Sequence, residues 1–298
     1  MSKKSKMYDR TEEDLGNIVG LEHVNVTIPD QRLATLFYIT GLGLTRDPYL
    51  VTSVNNMWVN CGKSQFHLPT RGPQVLRGRI GLVMPDLDQL VKRLESVREP
   101  LEATKFDYRT PNGNDAVDVT CPWGNRFRCH LASEEFAPMQ LGLAYVQFDV
   151  PPDTAKGIVR FYDKFLEAPG RVEKFDGATA ARIQAGYRQE LVFRETKAKL
   201  PKFDGHHIQI YVTDFSGPYK KLDKVGLISE ESNQHQYRFE KIVDPKSGDE
   251  LFVIDHEVRS MTHPLYGRPF VNRNPNQTNM AFVPGYETVS WAQPVPVG

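Results

Sequence analysis

The stretch Leu21–Leu44, LEHVNVTIPDQRLATLFYITGLGL, contains a succession of local patterns that decides the fold. Apolar and polar residues alternate over its first part, which predicts a short β-strand. A Pro-Asp pair follows, then an amphipathic helix with aromatic residues, and then a Gly-Leu-Gly exit. His23 lies at the beginning of the strand. It is either a metal ligand facing a cavity or a tolerated polar residue at a strand end, and recurrence of the pattern bears on that choice.

The same succession of strand, acidic residue and helix occurs four times along the chain. The four segments are EHVNVTIPDQRLATLFYITGLGL from Glu22, GRIGLVMPDLDQLVKRLESV from Gly78, AYVQFDVPPDTAKGIVRFYDKFLEA from Ala144 and HHIQIYVTDFSGPYKKLDKVGLI from His206. Each has an acidic residue near the predicted helix start, where a carboxylate can cap free backbone N–H groups. These residues are Asp30, Asp86, Asp153 and Asp214.

Two or three further strands are predicted after each helix, with Pro and Gly between them in CPWGNRF and DPKSGDELF. The repeated unit is therefore βαβββ, and we predict an α+β fold of four such modules that form two tandem half-open barrels. The predicted organisation is a flexible N-terminal arm (1–20), a first domain (21–135), a second domain (141–260) and an extended C-terminal arm (261–298).

The composition is that of a globular protein with balanced charge. Of 298 residues, 40% are hydrophobic, and Lys+Arg and Asp+Glu both number 37. A net charge of zero argues against a bulk electrostatic hold on nucleic acid or acidic lipid. The apolar runs are far shorter than the roughly 20 residues of a membrane span. Cys61, Cys121 and Cys129 show no metal-binding spacing. We expect a cytoplasmic protein that acts on a small molecule. The sequence does not decide whether the protein forms a homo-oligomer.

The four strand–acid–helix starts, the helical segments FYITGLGL and FYDKFLEA, and the Pro-Gly hairpins resemble the vicinal oxygen chelate superfamily. That superfamily includes glyoxalase I, extradiol ring-cleaving dioxygenases and bleomycin- and fosfomycin-resistance proteins. The resemblance implies paired glyoxalase-like βαβββ units curled around a cavity. In metal-using members, His from first strands and Glu from last strands hold a divalent ion there, which binds two neighbouring substrate oxygens.

Modules one and four have candidate ligands in the slots that this resemblance implies. Module one supplies His23 from its first strand and His67 from its last, in SQFHLP. Module four supplies His207 from its first strand, whereas its strict last-strand slot is Val253, and the acids Asp255 and Glu257 are displaced along the same strand face. If module one pairs with module four, His23, His67, His207 and either Asp255 or Glu257 converge on a divalent metal, with Fe(II) favoured over Mn, Zn or Ni. The plainer interpretation is a set of strand-end residues bonded to water, backbone or neighbouring charges.

Modules two and three have different residues in the equivalent slots. Module two has Arg79 and Arg128, with His130 on the same strand face, and module three has Tyr145. Arginine has no lone pair for a cation, so these slots argue against a metal wherever they line the cavity. They suit a carboxylate, a phosphate or an enolate, with Arg79, Arg128 and Tyr145 as the catalytic residues.

Two classes of function are open on the sequence. The first is a metal-dependent enzyme. The favoured form is an extradiol-type dioxygenase, an oxidoreductase, acting on a catecholic or related aromatic substrate, and the alternative is a glyoxalase-like lyase or isomerase. The second class is a metal-free protein that binds or transforms a small anionic ligand. If module one pairs with module two instead of module four, the candidate ligands are divided between two cavities.

Overall fold

The computed structural model describes residues 8–50, 55–111 and 115–272. Modules one and two consist of β1 (Ile18–Asn25), α1 (Gln31–Ala34), β2 (Thr45–Arg46), β3 (Asn56–Cys61), β4 (Ser64–Pro69), β5 (Gly78–Met84), α2 (Leu87–Ser96), α3 (Arg98–Leu101), β6 (Asp107–Arg109), β7 (Ala116–Thr120) and β8 (Arg126–Leu131). Modules three and four consist of β9 (Gly142–Val150), α4 (Ala155–Phe161), β10 (Gly170–Phe175), β11 (Ala178–Gln184), β12 (Glu190–Glu195), β13 (His207–Val212), α5 (Ser216–Asp223), β14 (Ile228–Asn233), β15 (Gln236–Val243) and β16 (Glu250–Ser260). The predicted α+β fold of four βαβββ modules is confirmed.

Short helical segments complete these elements. Helices α1 and α4 continue as π-helical turns over Thr35–Gly41 and Tyr162–Leu166, and 3-10 turns cover Arg10–Glu13 and Glu134–Phe136. In three modules the predicted acidic residue accepts a hydrogen bond from a backbone N–H two or three residues on. These residues are Asp30, Asp86 and Asp214. The prediction is wrong for Asp153, which has a φ of 65°. There the N–H of Ala155 donates to Glu195, on the last strand of the same module.

The strands form two eight-stranded sheets. The order in the first sheet is β14-β15-β16-β13-β1-β4-β3-β2, and the order in the second sheet is β10-β11-β12-β9-β5-β8-β7-β6. Within each module, the first and last strands pair in parallel. Two modules then meet through antiparallel pairing of their first strands, β1 with β13 and β5 with β9. Module one therefore shares a sheet with module four, and module two with module three. Both sheets cross the predicted boundary between domains 21–135 and 141–260.

One hydrophobic core runs through all four modules. The helices of modules that are consecutive in the chain contact each other. The helical segment of module one packs on α2, and that of module three packs on α5. Aromatic side chains pack these helical segments against the last strand of the neighbouring module. Phe37 lies 5.5 Å from Phe127 between ring centroids, and the hydroxyl of Tyr162 is 2.6 Å from Nε2 of His256. Each large apolar side chain buried in this way contributes roughly 1.5–3 kcal/mol.

The C-terminal segment returns to module one after β16. Residues 261–267 form turns. Arg268 then pairs with the buried carboxylate of Asp47 at 2.8 Å, and Asn272 exchanges two hydrogen bonds with the backbone of Gly62. The remainder of the predicted C-terminal arm, 273–298, lies outside the described residues.

The N-terminal arm predicted over 1–20 overlaps the first sheet, because β1 begins at Ile18. Residues 1–7 of that arm lie outside the described residues. None of the helices in the described ranges is both long and apolar enough to cross a bilayer.

Candidate metal centre

The two faces of the first sheet differ in what they contact. Val24, Phe66 and Ile208 lie in the main core with the helices, so their neighbours along each strand point to the opposite, helix-free face. That face carries histidine, amide and charged side chains from four strands. They are His23 and Asn25 on β1, Gln65 and His67 on β4, His207 and Gln209 on β13, and Asp255, Glu257 and Arg259 on β16. Arg238 on β15 joins them opposite Glu257.

Three side chains on this face bring candidate metal-ligand atoms together. The ligand atoms of His23, His207 and Glu257 all lie within 4.8 Å of one another. Nε2 of His207 is 3.4 Å from Oε2 of Glu257, and the two imidazole centroids are 5.7 Å apart. Within the described residues no other group of three such ligands is present. The group exists because β1 pairs with β13, so it depends on the non-sequential pairing of modules one and four.

Several buried polar atoms around this group have no hydrogen-bond partner among the described residues. They are Nε2 of His23, His67 and His207, and both amide atoms of Gln209. Gln209 is fully buried and lies opposite His23 and Glu257 in the strand register. Since buried polar atoms in proteins are nearly always paired, these atoms fit a site for a bound ion and for ligand oxygens.

The imidazoles of the group are neutral. Burial lowers the pKa of His23 and of His207 well below the usual value, and the nearby cations Arg259 and Arg238 act in the same direction. Burial also lowers the pKa of His67 to about 3. A neutral imidazole keeps a lone pair on one ring nitrogen, which is the form that binds a metal.

A carboxylate lies near Nδ1 of each imidazole in the group. Oε2 of Glu22 is 3.3 Å from Nδ1 of His23, and Oδ2 of Asp255 is 3.8 Å from Nδ1 of His207. Such a partner favours a proton on Nδ1 and leaves Nε2 free as a donor to a metal. Glu22 reaches this position because β1 has a bulge between Leu21 and His23, so two consecutive residues face the site.

Two arginines complete a buried network of charges. Arg238 donates to Asp255 at 2.6 Å and to Glu257, and Arg259 lies 2.5 Å from Glu257 and 3.3 Å from Glu22. Burial raises the pKa of Glu22 to about 7 and that of Asp255 to about 6, although the arginines oppose both shifts. Three carboxylates thus face two guanidinium groups. The network has one surplus negative charge when all five are ionised, and it can accommodate a cation.

His67 and Asp255, also predicted as ligands, lie beside the group of three. The ring of His67 stacks on Trp58 with centroids 3.9 Å apart, and its Nδ1 is 2.5 Å from the amide nitrogen of Asn25. An imidazole that accepts at Nδ1 carries its proton on Nε2, where it then has no lone pair to offer. Asp255 is held by Arg238. These contacts suit His67 as part of the cavity wall and Asp255 as the counter-ion of Arg238.

The sequence interpretation missed Glu22, Gln209, Arg238 and Arg259. A signal for the two arginines exists, because charged residues alternate with apolar ones in QYRFEKIV and FVIDHEVRS. The alternation shows that these charges share one strand face. Glu257 and Arg259 are only 3% and 7% exposed, so this is not a solvated strand end. Glu22 faces the site through a bulge, for which the sequence has no clear signal.

The residues predicted as catalytic lie on the other sheet. Arg79, Arg128 and Tyr145 belong to β5, β8 and β9, so the structure does not bring them to the three candidate ligands. They lie near one another there, because Arg128 and Tyr145 both pair in register with Gly81, two residues after Arg79. The Tyr145 hydroxyl is 3.0 Å from Nε2 of His130, and Arg79 pairs with Asp176.

No family model and no curated protein sequence matches the chain. Solved structures do match it. Glyoxalase I from Zea mays aligns with a TM-score of 0.58 at 15% identity, over 80% of this chain and 92% of that one. A protein of Bacillus subtilis subsp. subtilis str. 168 with a provisional dioxygenase name gives a TM-score of 0.55 at 14% identity, over 83% and 86%. The chain has the vicinal oxygen chelate fold, as the sequence resemblance implied.

Proposed function

We propose that the chain is a metal-dependent enzyme of the vicinal oxygen chelate type and that His23, His207 and Glu257 hold its divalent ion. One observation carries this proposal: candidate ligand atoms from two imidazoles and one carboxylate lie within 4.8 Å of one another on a buried face. Two histidines and one carboxylate are typical of non-haem Fe(II) oxygenases. Fe(II) is therefore the favoured ion, with Mn, Zn and Ni as the alternatives.

Within this class, we propose an extradiol-type ring-cleaving dioxygenase that acts on a catecholic or related aromatic substrate. A bound ion would supply open positions for two neighbouring substrate oxygens and polarise them. The buried amide of Gln209, with both polar atoms unpartnered among the described residues, is placed to bind a substrate oxygen. Trp58, stacked on His67, offers an aromatic wall for a substrate ring.

The charged residues around the three ligands have positioning roles in this proposal. Arg238 and Arg259 contact both sides of the Glu257 carboxylate and fix its orientation. Glu22 holds the proton of His23 on Nδ1. Because burial raises the pKa of Glu22 to about 7, this carboxyl can also accept or release a proton near neutral pH.

That property of Glu22 favours a second candidate function. A lyase or isomerase that acts through a metal-stabilised enolate needs a base close to the metal-bound carbonyl compound. A carboxylate with a pKa near neutrality, next to a proposed ligand, suits that task. The metal distinguishes the two candidates, since ring cleavage needs a redox-active ion and enolate chemistry does not.

Elemental analysis of protein purified anaerobically without a histidine tag tests the proposal. We expect about one Fe or Mn per chain, followed by consumption of oxygen with a panel of catechols. About one Zn or Ni per chain would shift the assignment to the lyase or isomerase. Absence of bound metal after reconstitution with all four ions would contradict both.

A further inference from the structure

The second sheet also has a helix-free face, and that face combines an apolar part with a charged part. Ile80 and Phe127 lie in the main core with the helices. Their strand neighbours Arg79, Gly81 and Arg128 therefore point to the other side. The residues on that side share no role with the proposed metal ligands, which lie on the first sheet.

The apolar part is a second buried cluster, separate from the main core. Its members are Val83, Ala144, Tyr145, Ala180 and Val192, with Phe136, Met139 and Phe175 packed against them. The Tyr145 ring lies directly over Gly81, where an added Cβ would be 2.2 Å from the ring. This contact requires glycine and fixes the ring as one wall. Phe175 stands edge-on to Tyr145, with ring centroids 5.5 Å apart.

The polar part contains buried groups whose hydrogen bonds are incomplete. Gln147 is 4% exposed, and its Oε1 has no partner among the described residues, while its Nε2 donates to Asp149 at 3.0 Å. Arg79 lies opposite Gln147 in the strand register, and its Nε is likewise unpartnered in the part of the chain that the structure describes. Gln147 thus has the place that the unpartnered Gln209 has opposite His23 in the first sheet.

The guanidinium groups around Gln147 are only partly neutralised. The nearest carboxylate oxygen to Arg128 is 3.9 Å away on Asp118, and the nearest to Arg194 is 3.8 Å away on Asp149. These separations are too long for hydrogen bonds. Five arginines pair with three aspartates, which leaves two surplus positive charges among them. The eight residues are Arg79, Arg109, Arg126, Arg128, Arg194, Asp118, Asp149 and Asp176.

We propose that this face is a second small-molecule site, which binds a small carboxylate with an apolar body. The carboxylate would accept hydrogen bonds from Arg79 and Arg128, since a guanidinium group matches a carboxylate in shape and charge. The apolar body would pack against Tyr145 and Phe175. Burial keeps the neighbouring imidazole of His130 neutral by lowering its pKa to about 4, so it adds no charge to the site.

Titration calorimetry with benzoate tests this site on metal-free full-length protein, prepared with a chelator. The proposed metal chemistry therefore does not affect the outcome. We expect saturable binding of one benzoate per chain and much weaker binding of benzamide, which has the same ring without the charge. Arg79→Ala should weaken benzoate binding tenfold or more. Arg171→Ala is the matched control, because this half-exposed arginine lies on the same sheet with its own glutamate partners.

Further variants cover the case in which Arg79→Ala does not fold. Arg128→Met and Gln147→Leu should each weaken binding at least fivefold if the site is correct, with unchanged circular dichroism. Four results would overturn the proposal. The first is no saturable binding of benzoate, phenylacetate or hexanoate up to about 10 mM, and the second is equal affinity for benzamide and benzoate. The third is a loss of benzoate affinity in Arg171→Ala equal to that in Arg79→Ala. The fourth is benzoate binding that occurs only after metal is restored.

Discussion

The two sheets share one topology, but their helix-free faces carry side chains of opposite charge. In each, two βαβββ modules meet through antiparallel first strands, and the helices cover one face. The free face of the first sheet holds neutral histidines among surplus carboxylates, and that of the second sheet holds surplus arginines. The difference shows that the core face and the helix caps specify this fold, whereas the helix-free face can take either charge.

Equivalent register positions make the comparison specific. Across β1 and β13, His23 faces Gln209, and across β5 and β9, Arg79 faces Gln147. In the last strands, Glu257 pairs with Gln209, while the corresponding partner of Gln147 is Val192. The slot of His207 is filled by Tyr145 in the second sheet. Each candidate metal donor of the first sheet is thus replaced by a residue that cannot bind a metal in that form.

Metal content should show the largest contrast between the sheets. We expect His23→Ala and His207→Ala each to reduce bound metal from about one ion per chain to nearly none, because each removes one of three protein ligands. Arg79→Ala, at the slot equivalent to His23, should retain full occupancy. Elemental analysis of the three variants, with circular dichroism to confirm folding, makes the measurement. Stoichiometric metal in either histidine variant would contradict the assignment.

Stability of the metal-free protein should show the next largest contrast. Glu257→Gln leaves the buried guanidinium groups of Arg238 and Arg259 without their shared carboxylate. Arg238 keeps Asp255 and Arg259 keeps Glu22, so the variant loses charged hydrogen bonds but not all compensation. Each charged hydrogen bond lost costs about 1.5–3 kcal/mol of unfolding free energy. In the second sheet, Glu173 is 37% exposed beside Arg171. There Glu173→Gln should cost about 1 kcal/mol or less. Denaturant titrations that give equal losses would show that burial of the first network has no energetic consequence.

The sequence predicts the modules well because the signals are local. Period-two apolar residues mark each first strand, and Asp30, Asp86 and Asp214 cap the helices that follow. The pairing of modules has no local signal, since the first strand of module one can form the same antiparallel ladder with either partner. Packing between distant segments selects β13, and only the structure shows this choice.

The candidate site is predictable only in part for the same reason. His23 and His207 are predicted because they occupy family slots on strands whose boundaries are local features, and Glu257 is predicted because it shares a strand face with the slot at Val253. Arg238 lies next to Glu257 only through the register between β15 and β16, which depends on bulges in that pair. Gln209 has no distinguishing feature in HHIQIYV other than the burial that folding imposes on it.

The pH dependence of the unfolding free energy should show a smaller effect, which comes from Glu22 of the first sheet. Burial raises the pKa of Glu22 from 4.5 to about 7 in the folded chain. The folded carboxyl then binds its proton more tightly than the unfolded one, so its contribution favours folding at low pH and is lost as the pH rises from about 4.5 to 7. At about 1.4 kcal/mol per pH unit, the loss amounts to about 3 kcal/mol.

The difference in unfolding free energy between the wild type and Glu22→Gln, measured on metal-free protein across this pH range, isolates that contribution. We expect the wild type to lose stability relative to the variant as the pH rises, and the difference to level off above about pH 7. A saturating divalent metal should flatten the slope, because a cation beside His23 favours the ionised carboxylate. A flat difference without metal would mean that Glu22 is already ionised through its contacts with Arg259 and Tyr211. In that case Glu22 would orient His23 as a fully ionised carboxylate, and the raised pKa that favours the lyase alternative would be absent.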